Sequence, residues 1–276
     1  DGTLSNTTVA ITVSDGVTVT VPGAEDDGTT VLEAGLPAGT GELSDNIPNN
    51  DNSETTSGTI TFTASDTPVT ISVGGQPVVI AGVDQTDLTV DGAFGELTLD
   101  LTNVATGSIG YSYTLDANID HDDAVADSDT FAVVVTDEDG DSANGSLVIA
   151  ITDDGPEAVA DSQTINASAT EATGNVLTND VAGADDESTT VVGVAVGNTG
   201  ADLDNAATVG DGTITGTGIT GTNGTLYMAS TGAYTFVPNA DAENFTETFT
   251  YTITGSDGAL STTTAALTAG AGVTGS

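Results

Sequence analysis

The 276-residue chain has no lysine, arginine, cysteine or tryptophan. It carries 42 aspartates and glutamates and one histidine, for a formal net charge of −42. Globular domains ordinarily carry charges of both signs on about a quarter of their residues. Without basic side chains no carboxylate can pair with Lys or Arg. Each buried or clustered acid must be matched by backbone N–H groups, water or a bound cation. Nucleic acid and anionic lipid surfaces are excluded as partners, because both need basic patches. Absent cysteine rules out disulfides, and absent lysine rules out Lys–Asn isopeptide crosslinks. Hydrophobic residues make up 37% and aromatics 4%, so each core is thin, and of the usual reinforcements only a metal is left. No apolar run reaches the roughly 18 residues of a membrane-spanning helix. No basic segment followed by an apolar one opens the chain as a conventional signal peptide does, so it reads as a mature product or an excerpt of something longer.

What is present is threonine, valine, glycine and alanine in short alternating runs. Thr8–Val13, Gly58–Phe62 with Thr63, Val69–Val73, Ala233–Val237 and Thr248–Ile253 alternate polar and apolar residues. Thr130–Val135 and Ser146–Ile151 are more continuously apolar, as in strands buried on both faces. Period two punctuated by Gly, Asp and Asn predicts antiparallel strands with one face buried. No amphipathic helix is signalled; short helical turns are expected near Asp84–Leu88 and Ala240–Phe245. Gly74-Gly75, Gly193 and Gly216-Thr217-Gly218 are expected at strand turns, not phosphate loops, which need a following helix.

The chain repeats itself. Asp1-Gly2, Asp139-Gly140 and Asp257-Gly258 each lead, without gaps, into an apolar strand, and stand 138 and 118 residues apart. An Asp-Gly turn thus precedes the last strand of each domain. Residues 17–154 are expected to form one domain and 155–276 a second, joined at Thr152-Asp153-Asp154-Gly155-Pro156-Glu157. Residues 1–16 are either the closing strand of a preceding repeat, the simpler case, or a donor strand that completes a neighbouring molecule's sheet.

Asp137-Glu138-Asp139-Gly140-Asp141-Ser142, the strand after it and Asp153-Asp154-Gly155-Pro156 resemble the repeat ends of giant RTX-type adhesins exported by type I secretion. Glu33-Ala34-Gly35-Leu36-Pro37, Tyr111-Ser112-Tyr113 and Asp120-His121 follow in the order of that family's long Ig-like repeat. Asn175–Asp180, Gly224-Thr225-Leu226, Gly232–Pro238 and Phe249–Ile253 are similar to its VCBS or cadherin-like repeat. The resemblance implies an all-β fold of tandem immunoglobulin- or cadherin-like sandwiches, calcium sites, and an extender role in cell-surface adhesion or biofilm matrix. One departure is Gly255-Ser256-Asp257-Gly258-Ala259, where the second acidic turn has lost ligands.

The strongest candidate site is Asp137, Asp139 and Asp141, where alternating carboxylates in a turn relieved by Gly140 can converge on one Ca²⁺. That ion takes about six to eight oxygens. The turn is not an EF-hand, which needs flanking helices and a twelfth-position Glu. A second set gathers at the joint: Asp153, Asp154, Glu157 and Asp161, with Asp180, Asp185 and Asp186 joining from the second domain. Glu25-Asp26-Asp27 with Glu33 is a third. The lone histidine stands in Asp120-His121-Asp122-Asp123. One imidazole with no cysteine does not make a zinc site of several N or S ligands, so His121 is expected as a loop residue beside another acidic cation site. A catalytic triad lacks its Gly-x-Ser-x-Gly elbow. A glycosidase carboxylate pair lacks tryptophan platforms.

The sequence therefore predicts a non-enzymatic extracellular spacer, secreted with its acidic domains loosely folded in low cytosolic calcium and rigidified by Ca²⁺ outside. Its partners would be neighbouring repeats or further copies of itself. A self-assembling filament or surface-layer subunit that polymerises by donor strand, and a sugar- or ice-binding module, are the alternatives.

Overall fold

The computed structural model describes residues 16–24, 26–43, 51–85, 88–119, 121, 127–166, 169–184, 188–203, 209–210, 212, 216–240, 242–256 and 258–270. The fold is all-β. The first eleven strands are β1 (Thr18–Thr20), β2 (Thr30–Leu32), β3 (Thr55–Thr63), β4 (Thr70–Val73), β5 (Gln76–Ile80), β6 (Val83–Asp84), β7 (Thr89–Asp91), β8 (Gly95–Asp100), β9 (Ser108–Leu115), β10 (Ser128–Thr136) and β11 (Ser142–Thr152). They form a five-stranded sheet, β1-β3-β9-β8-β7, and a six-stranded sheet, β2-β11-β10-β4-β5-β6. Eight more follow: β12 (Asp161–Ile165), β13 (Ala172–Asn175), β14 (Thr190–Val196), β15 (Ile219–Thr220), β16 (Gly224–Met228), β17 (Ala233–Pro238), β18 (Phe245–Thr254) and β19 (Leu260–Ala269). These make two four-stranded sheets, β12-β19-β18-β14 and β13-β17-β16-β15. The strand 8–13 expected from sequence lies outside the described residues.

By contact, the chain divides into two compact units. One takes in described residues of 1–30, 56–114 and 128–150, the other those of 31–55, 115–127 and 151–276. In the first, the alternation of β3, β8 and β9 buries Ile60, Phe62, Leu97, Leu99, Ile109, Tyr111 and Tyr113. Across from them lie Ile71, Val73, Phe131, Val133, Val135, Leu147 and Ile149 of the second sheet. Tyr113 and Phe131 meet edge to face across the sandwich, centroids 6.2 Å apart. The thin aromatic content is thus spent where the two sheets touch.

In the second unit one core joins both four-stranded sheets. Phe236 of β17 is fully buried and contacts Phe245 and Phe249 of β18 at 6.2 and 6.1 Å. β18 is covered on its other face too, because Thr250 and Thr252 are buried and hydrogen-bond the backbone of residues 197–203.

Four expectations are corrected. β10 and β11 are not buried on both faces: Thr130 and Ala132 are exposed, while Phe131, Val133 and Val135 point inward. Small Ala and β-branched Thr tolerate the wet side, so a continuous apolar run need not mean two dry faces. Pairing is not wholly antiparallel, since β12 runs parallel to β19 from Asp161↔Ala265 to Ile165↔Ala269. The whole sandwich serves as their crossover, as parallel pairing requires. Gly193 sits inside β14 at a register shift rather than at a turn; a Cβ there would collide with the Leu203 carbonyl. Among the described residues, helical turns fall at Glu33–Gly35, Thr40–Leu43, Val104–Thr106 and Val176–Thr178; of the two expected spans, residues 86, 87 and 241 lie outside the described residues and the others are not helical. Short loop turns of this kind carry no apolar periodicity to betray them.

Truncating Phe236→Ala should lower unfolding free energy by about 3–5 kcal/mol, with cavity and lost contacts in both sheets. Urea denaturation with an unchanged m-value would register it; a loss under about 1 kcal/mol would mean the two sheets do not share this core.

Candidate cation sites and buried carboxylates

The turn 137–141 closes the β10–β11 hairpin, with Thr136 opposite Ser142. Its backbone is pinned by the Asp137 N–H donating to the Asp141 carbonyl at 3.0 Å, with Gly140 at φ +102°. Asp137 is buried. Its Oδ1 accepts the Asp141 N–H at 2.9 Å, while its Oδ2 is buried with no hydrogen-bond partner. Carboxylate oxygens of Asp66, Asp137 and Asp139 lie within 4.8 Å of one another. Burial, and then the neighbouring Asp139 carboxylate, hold Asp137 above the usual carboxylate range. The structure thus brings Asp137 and Asp139 together, but with Asp66 from the β3–β4 loop. The exposed Asp141 contributes its main chain to the turn. Asp66 is 71 residues away, in a Ser-Asp-Thr-Pro turn that carries no cation signature.

The joint carboxylates separate into distinct places. Asp153 groups with Glu33 and His121, their ligand atoms within 4.8 Å of one another. Asp154 is buried and accepts both the N–H, at 2.7 Å, and the hydroxyl of Thr40. Glu157 is exposed, and its main chain forms a bridge with Val181. Asp161 and Asp180 converge on the Tyr251 hydroxyl, at 2.9 and 3.2 Å, and Asp180 also accepts the Val159 N–H at 2.7 Å. Burial pushes the Asp180 carboxyl up to about 6 and raises the Tyr251 hydroxyl. Asp185, Asp186, Glu25, Asp120, Asp122 and Asp123 lie outside the described residues. Asp26 caps its own turn by accepting the Gly23 N–H at 2.7 Å.

Glu33 is fully buried at the head of its helical turn. Its Oε1 accepts the Ile119 N–H at 2.5 Å, and its Oε2 is 3.3 Å from His121 Nε2. His121 Nδ1 lies 2.8 Å from Asp127 Oδ2. Both ring nitrogens therefore face carboxylates.

Three further buried acids, Glu42, Asp129 and Glu247, lie outside the sets expected from sequence. Asp129 accepts the N–H groups of Ala93, Phe94 and Gly95, at 2.6 to 3.1 Å, and the Tyr113 hydroxyl at 2.7 Å. Glu247 accepts the N–H groups of Thr222 and Asn223 and the Asn223 side-chain amide. The signal was there. Asp129 shares the inward phase of Phe131, Val133 and Val135, and Glu247 that of Phe245, Phe249 and Tyr251. An acid in register with the core is held by turn N–H groups.

Two surface grooves, of about 460 and 670 Å³, are lined mainly by aliphatic and small polar side chains; among the described residues Asp84, in the larger, is the sole acid in either lining. No helix among the described residues is long and apolar enough to cross a membrane.

No protein-family model matches the chain, and no curated protein matches it either. Solved structures do. Mouse clustered PcdhgC3 EC1-3 aligns over 93% of this chain and 68% of its own, at 10% identity and a TM-score of 0.31. The tandem Ig repeats of Dlar align over 93% and 98%, at 8% and 0.27. The human Desmocollin-1 ectodomain aligns over 75% of this chain and 31% of its own, at 13% and 0.26. Ig repeats and extracellular cadherin domains are thus among the structures it is similar to.

Asp129→Ala should destabilise by about 3 kcal/mol or more, since it strands three N–H groups and a hydroxyl. The loss should be the same in EDTA and in calcium; a calcium-dependent loss would make Asp129 a metal ligand instead. Asp180 supplies a pH test. Its folded value lies above the 3.8 usual for an aspartate, so its contribution is full below about pH 4 and is lost as pH rises through about 6. In EDTA, wild type should lose more stability between pH 5 and 7.5 than Asp180→Asn does. Parallel pH profiles would remove Asp180 as the source.

Proposed function

We propose that this chain is an extender segment of an extracellular bacterial adhesin or matrix fibre, similar to the repeats of RTX-type proteins secreted by the type I route. It spaces and stiffens rather than catalyses. Residues 17–154 and 155–276 are successive repeats. Calcium rigidifies the first repeat at the Asp66–Asp137–Asp139 turn.

The observation that carries this reading is the buried Asp137 Oδ2, which makes no hydrogen bond yet sits within reach of two more carboxylates. Three acids that close repel, and the chain has no Lys or Arg to offset them. Oxygen-only donors suit a hard cation, and Ca²⁺ accepts carboxylates, carbonyls and water in a flexible shell. Three of the joint acids have protein partners already: Asp154 has Thr40, and Asp161 and Asp180 have Tyr251. A cation that binds only the folded form raises stability by mass action, and outside a cell calcium is abundant.

Thermal unfolding in excess EDTA and in millimolar Ca²⁺, with matched Mg²⁺ and NaCl, tests this. A calcium-specific rise of at least about 4 °C is expected, and Asp137→Asn with Asp139→Asn should abolish most of it. Equal stabilisation by every salt would reduce the acidity to a screened surface.

A further inference from the structure

We infer that Glu33, His121 and Asp153 form a second metal site of a different chemical class, for a divalent ion that takes nitrogen as well as oxygen, with Zn²⁺ the best fit. The site does not rest on the calcium reading.

The argument begins with the imidazole. The 2.8 Å contact from His121 Nδ1 to Asp127 Oδ2 has the length of an N–H···O bond. The hydrogen therefore sits on Nδ1, and in the neutral ring Nε2 presents its lone pair to the other side. There Nε2 is buried, makes no hydrogen bond, and faces Glu33 Oε2 at 3.3 Å. A lone pair and a carboxylate oxygen repel at that distance unless something positive lies beside both. Asp153 brings a third ligand atom, all three within 4.8 Å of one another.

The 3.3 Å between His121 Nε2 and Glu33 Oε2 suits a shared ion. Metal–ligand lengths of about 2.0–2.1 Å at a tetrahedral angle place adjacent ligand atoms about 3.3–3.4 Å apart. The supporting contacts are also in place. Asp127 on Nδ1 completes a carboxylate–histidine–metal relay, which fixes the tautomer and strengthens the donor. The Ile119 N–H on Glu33 Oε1 orients the first carboxylate.

Charge points the same way. Glu33, Asp127 and Asp153 bring three negative charges into a mostly buried cluster. A protonated imidazole would leave two of them unmatched, whereas a divalent ion on a neutral ring leaves one. Donor type separates this site from the calcium turn: imidazole nitrogen suits Zn²⁺ and its neighbours, carboxylate oxygen alone suits Ca²⁺. A single imidazole is enough when two carboxylates complete the set, because Asp and Glu oxygens are themselves zinc ligands. The ion would tie together three segments remote in sequence: the turn after β2, the β9–β10 loop and the residue that follows β11.

The test uses the full chain held in millimolar Ca²⁺, so that calcium sites stay filled. Zn²⁺ is titrated by calorimetry, and Co²⁺ by its visible absorption. One equivalent should bind, about 100-fold more weakly in His121→Ala and about 10-fold more weakly in Asp127→Asn. With one histidine in the chain, ring-nitrogen NMR of wild type gives a readout that needs no variant: one equivalent of Zn²⁺ should shift Nε2 and leave Nδ1 bonded to Asp127. An unmoved Nε2, unchanged affinity in His121→Ala, or Ca²⁺ displacing Co²⁺ one for one would each overturn the site. The calcium-dependent rise in unfolding temperature should persist in His121→Ala, so the two readings fail separately.

Discussion

A buried carboxylate needs a partner, and this chain has denied itself the usual ones. With no guanidinium or ammonium group available, the compensation falls to the main chain. Asp129 collects three consecutive N–H groups and a tyrosine hydroxyl. Glu247 draws on the turn at 222–223, Asp154 on Thr40, Glu33 on Ile119 and Asp180 on Val159. Asp129 and Glu247 each anchor a loop to a strand, and the other three tie turns and loops to one another, so the acids act as inward-facing staples for segments with little apolar surface of their own. Where N–H groups run out, as at Asp137 Oδ2 and His121 Nε2, the remaining resource is a cation. The two proposed metal sites thus follow from the same deficit that shapes the rest of the interior.

The cores obey a matching economy. Few aromatics are present, and they cluster where sheets meet: Tyr113 against Phe131 in one unit, Phe236 against Phe245 and Phe249 in the other. Elsewhere valine, isoleucine, leucine and alanine fill the layer. Tyr251 serves both purposes, with its ring in the core and its hydroxyl between two aspartates. Threonine replaces charge on the outer faces, with hydroxyl pairs such as Thr18–Thr63 and Thr246–Thr268 opposite each other.

Strands were legible because their patterns are local: β3, β4, β17 and β18 fall where period two places them, and β10 and β11 where continuous apolar runs do. The Asp137 turn was legible because Asp-Gly beside a strand is a local signal too. The composition of the sites was not. Asp66 reaches Asp139, and Glu33 reaches His121 and Asp153, only through the fold. No spacing rule connects residues 70 to 120 positions apart. Asp161 and Asp180 read as metal ligands, yet they share a tyrosine hydroxyl, because an acidic pair looks the same in sequence whichever partner it finds. Asp129 and Glu247 stood in plain register with core residues. A single acid in a strand is a weaker local signal than a run of acids in a turn.

The parallel pairing of β12 with β19 has one more implication. The second sandwich begins and ends on neighbouring strands that run the same way, bonded from Asp161↔Ala265 to Ile165↔Ala269. Tension entering ahead of Asp161 and leaving beyond Ala269 pulls the two in opposite directions along their common length. It acts in shear on the ladder, across the hydrogen bonds, so they share the load instead of opening one by one as in a zipper. The strand pair that closes the sandwich is also its mechanical clamp.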